Sequence, residues 1–192
     1  MNIIKAIKNY DPAIRSWPEV FLYPGFWCMF FHRPCHMLYK WRLYFLARLI
    51  SQYARFLTGI EIHPGAKIGK GVIIDHGMGV VIGETAIIGD NVLIYHNVTL
   101  GNVDSIKGPR HPVIGNNVVI GAGAIILGRV TIGDNAKIGA GTVVLTDVPA
   151  GNTIVGEKGR IVVRDDFKCS TQCEIEDLKN KVKELKNILD SQ

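Results

Sequence analysis

Between Ile62 and Val148 a small aliphatic residue returns at every sixth position, often with a glycine just behind it. The clearest run is Ile114, Ile120, Ile126, Ile132, Ile138 and Val144. Ile82, Ile88, Ile94 and Leu100 form a second run, and Ile62, Ile68 and Ile74 a third. Short insertions offset the runs: the steps from Ile74 to Ile82 and from Leu100 to Ile114 each exceed whole hexads by 2 residues. A period of six matches neither the helical turn of about 3.6 residues nor the alternation of an ordinary hairpin meander. It suits short strands joined by tight corners, which stack one aliphatic side chain each into a column, as in a parallel β-helix. Each coil caps its neighbour, so the core is a ladder instead of one central cluster. Corners and breaks in the period are then the places left for chemistry.

The flanks read differently. Residues 1–60 form a helical, aromatic segment, residues 61–163 the β-helix, and residues 164–192 a helical tail. Asp11-Pro12 has the form of an N-cap followed by proline at the first helical position. Tyr23-Pro24-Gly25 marks a break, and Pro34 is expected to open a further segment. From Met37 to Leu57 the apolar residues Leu38, Trp41, Phe45, Leu49, Tyr53 and Phe56 recur at helical spacing, which predicts an amphipathic helix. Its apolar face is expected against the first coil or a neighbouring subunit. Cys28, His32, Cys35 and His36 would gather four zinc-competent groups on an unbroken helix. Pro34 argues against that helix, so packing is expected there and no metal. Beyond Pro149 the pattern ends, and Gly151 to Val163 reads as an irregular closing segment. Ile175, Leu178, Val182, Leu185 and Leu189 then follow a 3, 4, 3, 4 step, a short coiled-coil seam. Two heptads are marginal alone, which favours an oligomer.

Of the 192 residues, 22 are basic and 17 acidic, a formal charge of +5. No basic run interleaved with aromatics accompanies this surplus, so no nucleic-acid partner is expected, although a polyanionic small ligand would suit it. Lys5, Lys8, Asp11 and Arg15 interrupt any signal-peptide core, and the apolar stretch Val20 to Phe31 is too short to span a bilayer. These features predict a cytoplasmic protein without a membrane partner. Cys28, Cys35, Cys169 and Cys173 are widely separated and are read as thiols.

Histidine has an unperturbed pKa close to neutral and suits removal of a proton from an alcohol during group transfer. His76 and His96 are 20 residues apart, one coil of three hexads plus the 2-residue insertion, and should stack on the same wall. Asp75 precedes His76, and Gly77 and Gly79 leave room for a ligand at the backbone. His111 lies beside Arg110, a ready carboxylate or phosphate partner, in a polar loop from Gly101 to Pro112 that cannot continue the ladder.

Several segments together, Ile62-His63-Pro64, Asp75-His76-Gly77 with Gly79, Ile82 to Ala86, Asn97 to Gly101 and Arg110-His111-Pro112, closely resemble the serine O-acetyltransferase family of hexapeptide-repeat acyltransferases. The resemblance runs from about Asp11 to Val163. It implies a mainly β fold, a left-handed parallel β-helix with an N-terminal α-helical segment, assembled as a homotrimer or a dimer of trimers with active sites between subunits. It also implies acetyl transfer from acetyl-CoA to the hydroxyl of L-serine, giving O-acetyl-L-serine for cysteine biosynthesis, with no metal. By position His76 matches the general base and Glu61 the acid that orients it, although an aspartate is familiar there. His111 and Arg110 match residues that hold the amino acid, Arg110 on its carboxylate. Asp75 and Asp11 match acids near the amine. Gly101, Asn102, Ala122, Lys137 and Ala140 fall on the acetyl-CoA side, the two alanines with their backbone along the pantetheine arm. The chain ends Asp190-Ser191-Gln192 instead of the isoleucine that inserts into the sulfhydrylase partner, so that complex is not expected. Two other readings stand beside this one: an acetyltransferase of the same fold acting on a sugar, which would need no paired charges in the site, and a non-catalytic trimeric scaffold, which would need no histidines at the breaks.

Overall fold

A computed structural model describes residues 13–104, 107–156, 175–183 and 186. Asp11, Cys169, Cys173, Leu185, Leu189 and the end of the closing segment lie outside the described residues. Residues 1–157 and 158–192 are two compact units.

In the first unit short parallel strands wind into a three-walled prism. Wall A holds β1 (Glu61–Ile62), β4 (Val81–Ile82), β7 (Thr99–Gly101), β10 (Ile125–Leu127) and β13 (Val143–Val144). Wall B holds β2 (Lys67–Ile68), β5 (Ile87–Ile88), β8 (Val113–Ile114) and β11 (Thr131–Ile132). Wall C holds β3 (Ile73–Ile74), β6 (Leu93–Ile94), β9 (Val119–Ile120), β12 (Lys137–Ile138) and β14 (Thr153–Ile154). The register carries the sequence phase directly: Ile62 pairs with Ile82 and Ile82 with Leu100, while Ile88 pairs with Ile114 across the long loop. The sixth-position aliphatics are the inward residues, with Ile94, Leu100, Ile120, Ile126 and Ile132 all fully buried. Burying each such side chain is worth roughly 1.5–3 kcal/mol. A second inward column, not evident from the sixth-position run, stands two residues earlier, where Ile60, Val80, Ala86, Val92, Val98, Val118 and Ala124 are also fully buried. The closing segment is more regular than expected, because β14 pairs in parallel with β12.

Corners reverse the chain through left-handed backbone. Glycine supplies this at Gly71, Gly123 and Gly141, but Asn91, Asn97, Asn117 and Asn135 take the same conformation with φ between 55° and 60°. Asparagine tolerates that region better than other non-glycine residues. At the corner between walls B and C the side chains also form a ladder: Lys70 N–H donates to Asp90 Oδ1, Asp90 N–H to Asn116 Oδ1, and Asn116 N–H to Asp134 Oδ1, at 2.6–2.9 Å.

The first coil is capped by helices. A 3₁₀ turn, Trp17–Leu22, begins where Ser16 donates both its N–H and its hydroxyl to Glu19. Helix α1 is Pro24–Lys40 and α2 is Tyr44–Thr58. Two expectations fail here. Helix α1 runs through Pro34 without ending. Loss of one helical bond there is outweighed by a face of Gly25, Cys28, Met29, His32 and Cys35 buried on one side of the helix. Gly25 permits the approach, since a Cβ on it would collide with the Ile74 carbonyl. The amphipathic segment instead breaks at Trp41–Leu43, where Arg42 turns left-handed with φ 63°. Trp41, Arg42 and Leu43 N–H groups satisfy the last carbonyls of α1. Moreover, the apolar stripe of α2 faces away from the first coil: Phe45 is 82% and Phe56 85% exposed. Ala47, Ser51, Ala54 and Thr58 face inward instead, because small side chains let the helix sit close enough for the Ser51 hydroxyl to donate to the Ile62 carbonyl at 2.9 Å.

His32, Cys28 and Cys35 are buried in this cap. Burial pushes the Cys28 thiol up to about 12 and raises Cys35, so neither is a thiolate at neutral pH. Among the described residues no group of His, Cys, Asp and Glu is arranged to hold a metal, and no helix is long and apolar enough to cross a membrane. Burial lowers His32 to about 4, helped by the nearby His36. The folded state therefore binds fewer protons than the unfolded one between about pH 6.5 and 4. The contribution to stability is complete above 6.5 and falls as pH drops towards 4, by on the order of 3 kcal/mol. Thermal melts of wild type should drop between pH 7.5 and 5, and His32→Leu should flatten that slope; equal slopes for the two proteins would rule out His32 as the cause.

In the second unit residues 175–183 are helical. Ile175, Leu178 and Val182 of the seam lie on this helix.

Candidate active site

The predicted site residues fall on two different corners of the prism. His76 follows β3 and precedes β4, at the corner between walls C and A. His96 stands one coil above it, with ring centroids 6.0 Å apart and planes at 83°, as the 20-residue spacing requires. The column continues: Gly123 N–H donates to the His96 carbonyl and Gly141 N–H to the Ala122 carbonyl, so Ala122 and Ala140 lie along the same edge. His76 has a left-handed backbone, φ 57°, followed by Gly77 and Gly79 at 65° and 76°. A non-glycine residue held there is a departure that functional sites tolerate. Its side chain is 75% exposed, and its Nε2 lies 3.8 Å from Asp75 Oδ2, within ion-pair range but beyond a hydrogen bond. Asp75 is only 13% exposed. This corner therefore presents an accessible imidazole with a carboxylate 3.8 Å away.

Glu61, on β1, is held from α2: its Oε1 accepts from Arg48 Nη2 at 2.9 Å, and its Oε2 is 3.2 Å from Arg55 Nη1. Lys137 is exposed on β12. Gly101 ends β7, and Asn102 just beyond it donates to the Asp104 carbonyl at 2.7 Å.

Arg110 and His111 lie after β7 and before β8, at the corner between walls A and B. Two residues unassigned from sequence hold them. The Thr85 hydroxyl oxygen accepts from the backbone N–H of Arg110 at 3.0 Å and of His111 at 3.1 Å. Thr85 N–H donates to His111 Nδ1 at 3.2 Å. Nδ1 is thereby the acceptor of the neutral ring, which leaves the proton on Nε2. Burial, then the Arg110 charge, lowers the His111 pKa below its ordinary value, which favours this neutral form. A Cβ on Gly83 would overlap the His111 ring, so this glycine makes room for it. Glu84 Oε2 accepts from Arg110 Nη2 at 2.6 Å, and Glu84 Oε1 accepts from the Tyr39 hydroxyl at 2.7 Å. A cavity of about 390 Å³ beside this cluster is lined by Tyr39, Tyr44, Arg48, His63, Pro64 and Glu84. The signal for these partners was present: Ile88 and Ile114 are 26 residues apart and pair, and the same offset brings Thr85 to His111 and Glu84 to Arg110.

One chain thus carries His76 with Asp75 at one corner and Arg110 with His111 at another. Within one chain His76 and His111 stand on different edges of the prism, because successive corners of a three-walled coil face different directions. The C–A edge also borders an apolar groove of about 770 Å³ lined by Phe21, Leu22, Trp27, Phe31, Phe56, Leu57 and Met78 among others.

Residues 111–146 match the family model described as bacterial transferase hexapeptide (six repeats). A serine acetyltransferase of Helicobacter pylori is 56% identical over 84% of this chain and 95% of its own length. Among solved structures, soybean serine acetyltransferase complexed with serine superposes with a TM-score of 0.77 at 47% identity, over 83% of this chain and 66% of that one. Serine acetyltransferase from Brucella abortus in complex with coenzyme A gives 0.78 at 41% identity, over 83% of this chain and 64% of that one. The chain thus spans roughly two thirds of the length of these two solved proteins.

Proposed function

The chain belongs to the serine acetyltransferase family, and on that premise we propose that it transfers acetyl from acetyl-CoA to the hydroxyl of L-serine, with His76 as the general base. The observation that carries the assignment is the C–A corner: an exposed imidazole beside Asp75, at the foot of an edge lined by Ala122 and Ala140. His76 takes the serine hydroxyl proton as the oxygen attacks the thioester carbonyl. The new C–O bond forms, the C–S bond breaks, and the departing thiolate receives the proton from the imidazolium. In this reading Asp75 serves the substrate amine, a role the family resemblance also gives to Asp11, Arg110 and His111 take its carboxylate, and Glu61 orients the base while Arg48 and Arg55 fix its carboxylate. Gly101, Asn102, Ala122, Lys137 and Ala140 line the acetyl-CoA path.

Because His76 and His111 occupy different edges, the site is assigned to the junction between copies, the C–A edge of one facing the A–B edge of the next. A ring of three closes such a head-to-tail contact. The uncovered aromatic stripe of α2 fits burial in that assembly or in a dimer of two trimers. A cytoplasmic enzyme, where acetyl-CoA is supplied and the Cys28 and Cys35 thiols stay reduced, fits these features.

Purified protein given acetyl-CoA should release free thiol when L-serine is added and only at background with a panel of sugars. Robust turnover of a sugar with none of serine would shift the assignment to a polysaccharide-modifying enzyme of the same fold, since a neutral acceptor needs neither Arg110 nor Asp75.

A further inference from the structure

We propose that Glu84 and Tyr39 are positioning residues that hold the Arg110 guanidinium in place for the substrate carboxylate before substrate arrives. The proposal rests on the reading above that Arg110 binds that carboxylate.

Arg110 stands at the end of the long loop, and a free arginine side chain carries on the order of 2 kcal/mol of rotamer entropy. Here it is tied at both ends. Its backbone N–H donates to the Thr85 hydroxyl at 3.0 Å, and its Nη2 donates to Glu84 at 2.6 Å. Nη1 reaches the Gly108 carbonyl at 3.4 Å. The guanidinium has five N–H donors, so donors remain for a ligand. Glu84 is in turn fixed by the Tyr39 hydroxyl on its other oxygen at 2.7 Å. Tyr39 comes from the last turn of α1 and is itself wedged edge-on against Tyr44, at 5.0 Å between centroids, and His63, at 5.6 Å. The relay therefore runs from the helical cap through one carboxylate to the substrate-facing arginine.

Charge supports the same arrangement. The Tyr39 hydroxyl, and after it the Arg110 pair, holds the Glu84 carboxyl below its ordinary value, while the Glu84 contact pushes Tyr39 up to about 12. At neutral pH Glu84 is thus an anion and Tyr39 a donor, the states that both hydrogen bonds need. Ordering the cation in the free enzyme removes part of the entropy that binding would otherwise cost.

The test measures KM for L-serine, KM for acetyl-CoA and kcat in Glu84→Gln, Tyr39→Phe and Arg110→Lys, with melting temperatures alongside. A charge-assisted hydrogen bond is the larger loss, so Glu84→Gln should raise the serine KM by ~10-fold or more, and Tyr39→Phe by roughly 3-fold. In both, kcat, the acetyl-CoA KM and the melting temperature should stay near wild type. Arg110→Lys separates the two ideas. If it raises the serine KM while Glu84→Gln does not, the relay is wrong and the arginine assignment stands. If Arg110→Lys leaves the serine KM unchanged, the arginine assignment itself fails, and the relay with it. A fall in the serine KM of Glu84→Gln would make Glu84 a competitor for Arg110, and parallel losses in both KM values with a lower melting temperature would make it merely structural; either overturns the proposal.

Discussion

His76→Asn is expected to lower kcat by at least ~100-fold with the fold intact, because general-base assistance is typically worth ~100- to 10,000-fold. The choice of variant follows from the backbone. His76 has φ 57°, a region that costs alanine on the order of 1–2 kcal/mol and that asparagine tolerates. Asparagine already holds left-handed backbone at other corners of the prism, at Asn91, Asn97, Asn117 and Asn135. The ring is 75% exposed within the chain, so its removal opens no cavity in the inner ladder. His76→Ala should lose as much activity and somewhat more stability. If His76→Asn turned over serine at near the wild-type rate, another group would have to be the base.

Mixing two dead variants should restore activity. In the proposed ring of three, His76→Asn removes the C–A half of the site and His111→Ala the A–B half, and each variant alone should be close to inactive. When the two are co-expressed in equal amounts, about three quarters of randomly assembled trimers contain both. In every mixed ring one of the three junctions joins an intact C–A edge to an intact A–B edge. Recovery to ~25% of wild-type activity is therefore expected, against almost none for either variant alone. If purified hetero-oligomers stay inactive, the site does not lie between copies in this arrangement. The experiment reads the geometry directly, since within one chain the two histidines stand on different edges of the prism.

Much of this was legible in the sequence because β-helix order is almost local. The hexad fixes which residue points inward, so Ile94, Leu100 and Ile120 could be placed in the core from spacing alone. The insertion arithmetic placed His96 over His76 for the same reason. The helical cap was less legible. Pro34 is a helix breaker by local rules, yet α1 continues because its buried face against the first coil outweighs one missing bond. The stripe from Phe45 to Phe56 has the period of a core-facing helix, yet it points outward, and the small residues Ala47, Ser51 and Ala54 take the inner face. Periodicity says that a face is apolar without saying what covers it.

The candidate site divides along the same line. His76, Asp75, Arg110 and His111 stood out because they interrupt a regular pattern. Glu84, Thr85 and Tyr39 did not, since their importance lies in partners 25 to 45 residues away. Sequence alone determined the coil, the inward ladder and the histidine at each break, because these follow from a six-residue period repeated along the chain. Only the tertiary structure decided which edge each break faces and what holds its charged groups. Direction around the prism depends on the sum of every coil and insertion between two residues, and the ion pair of Arg110 with Glu84 forms only once those coils are stacked.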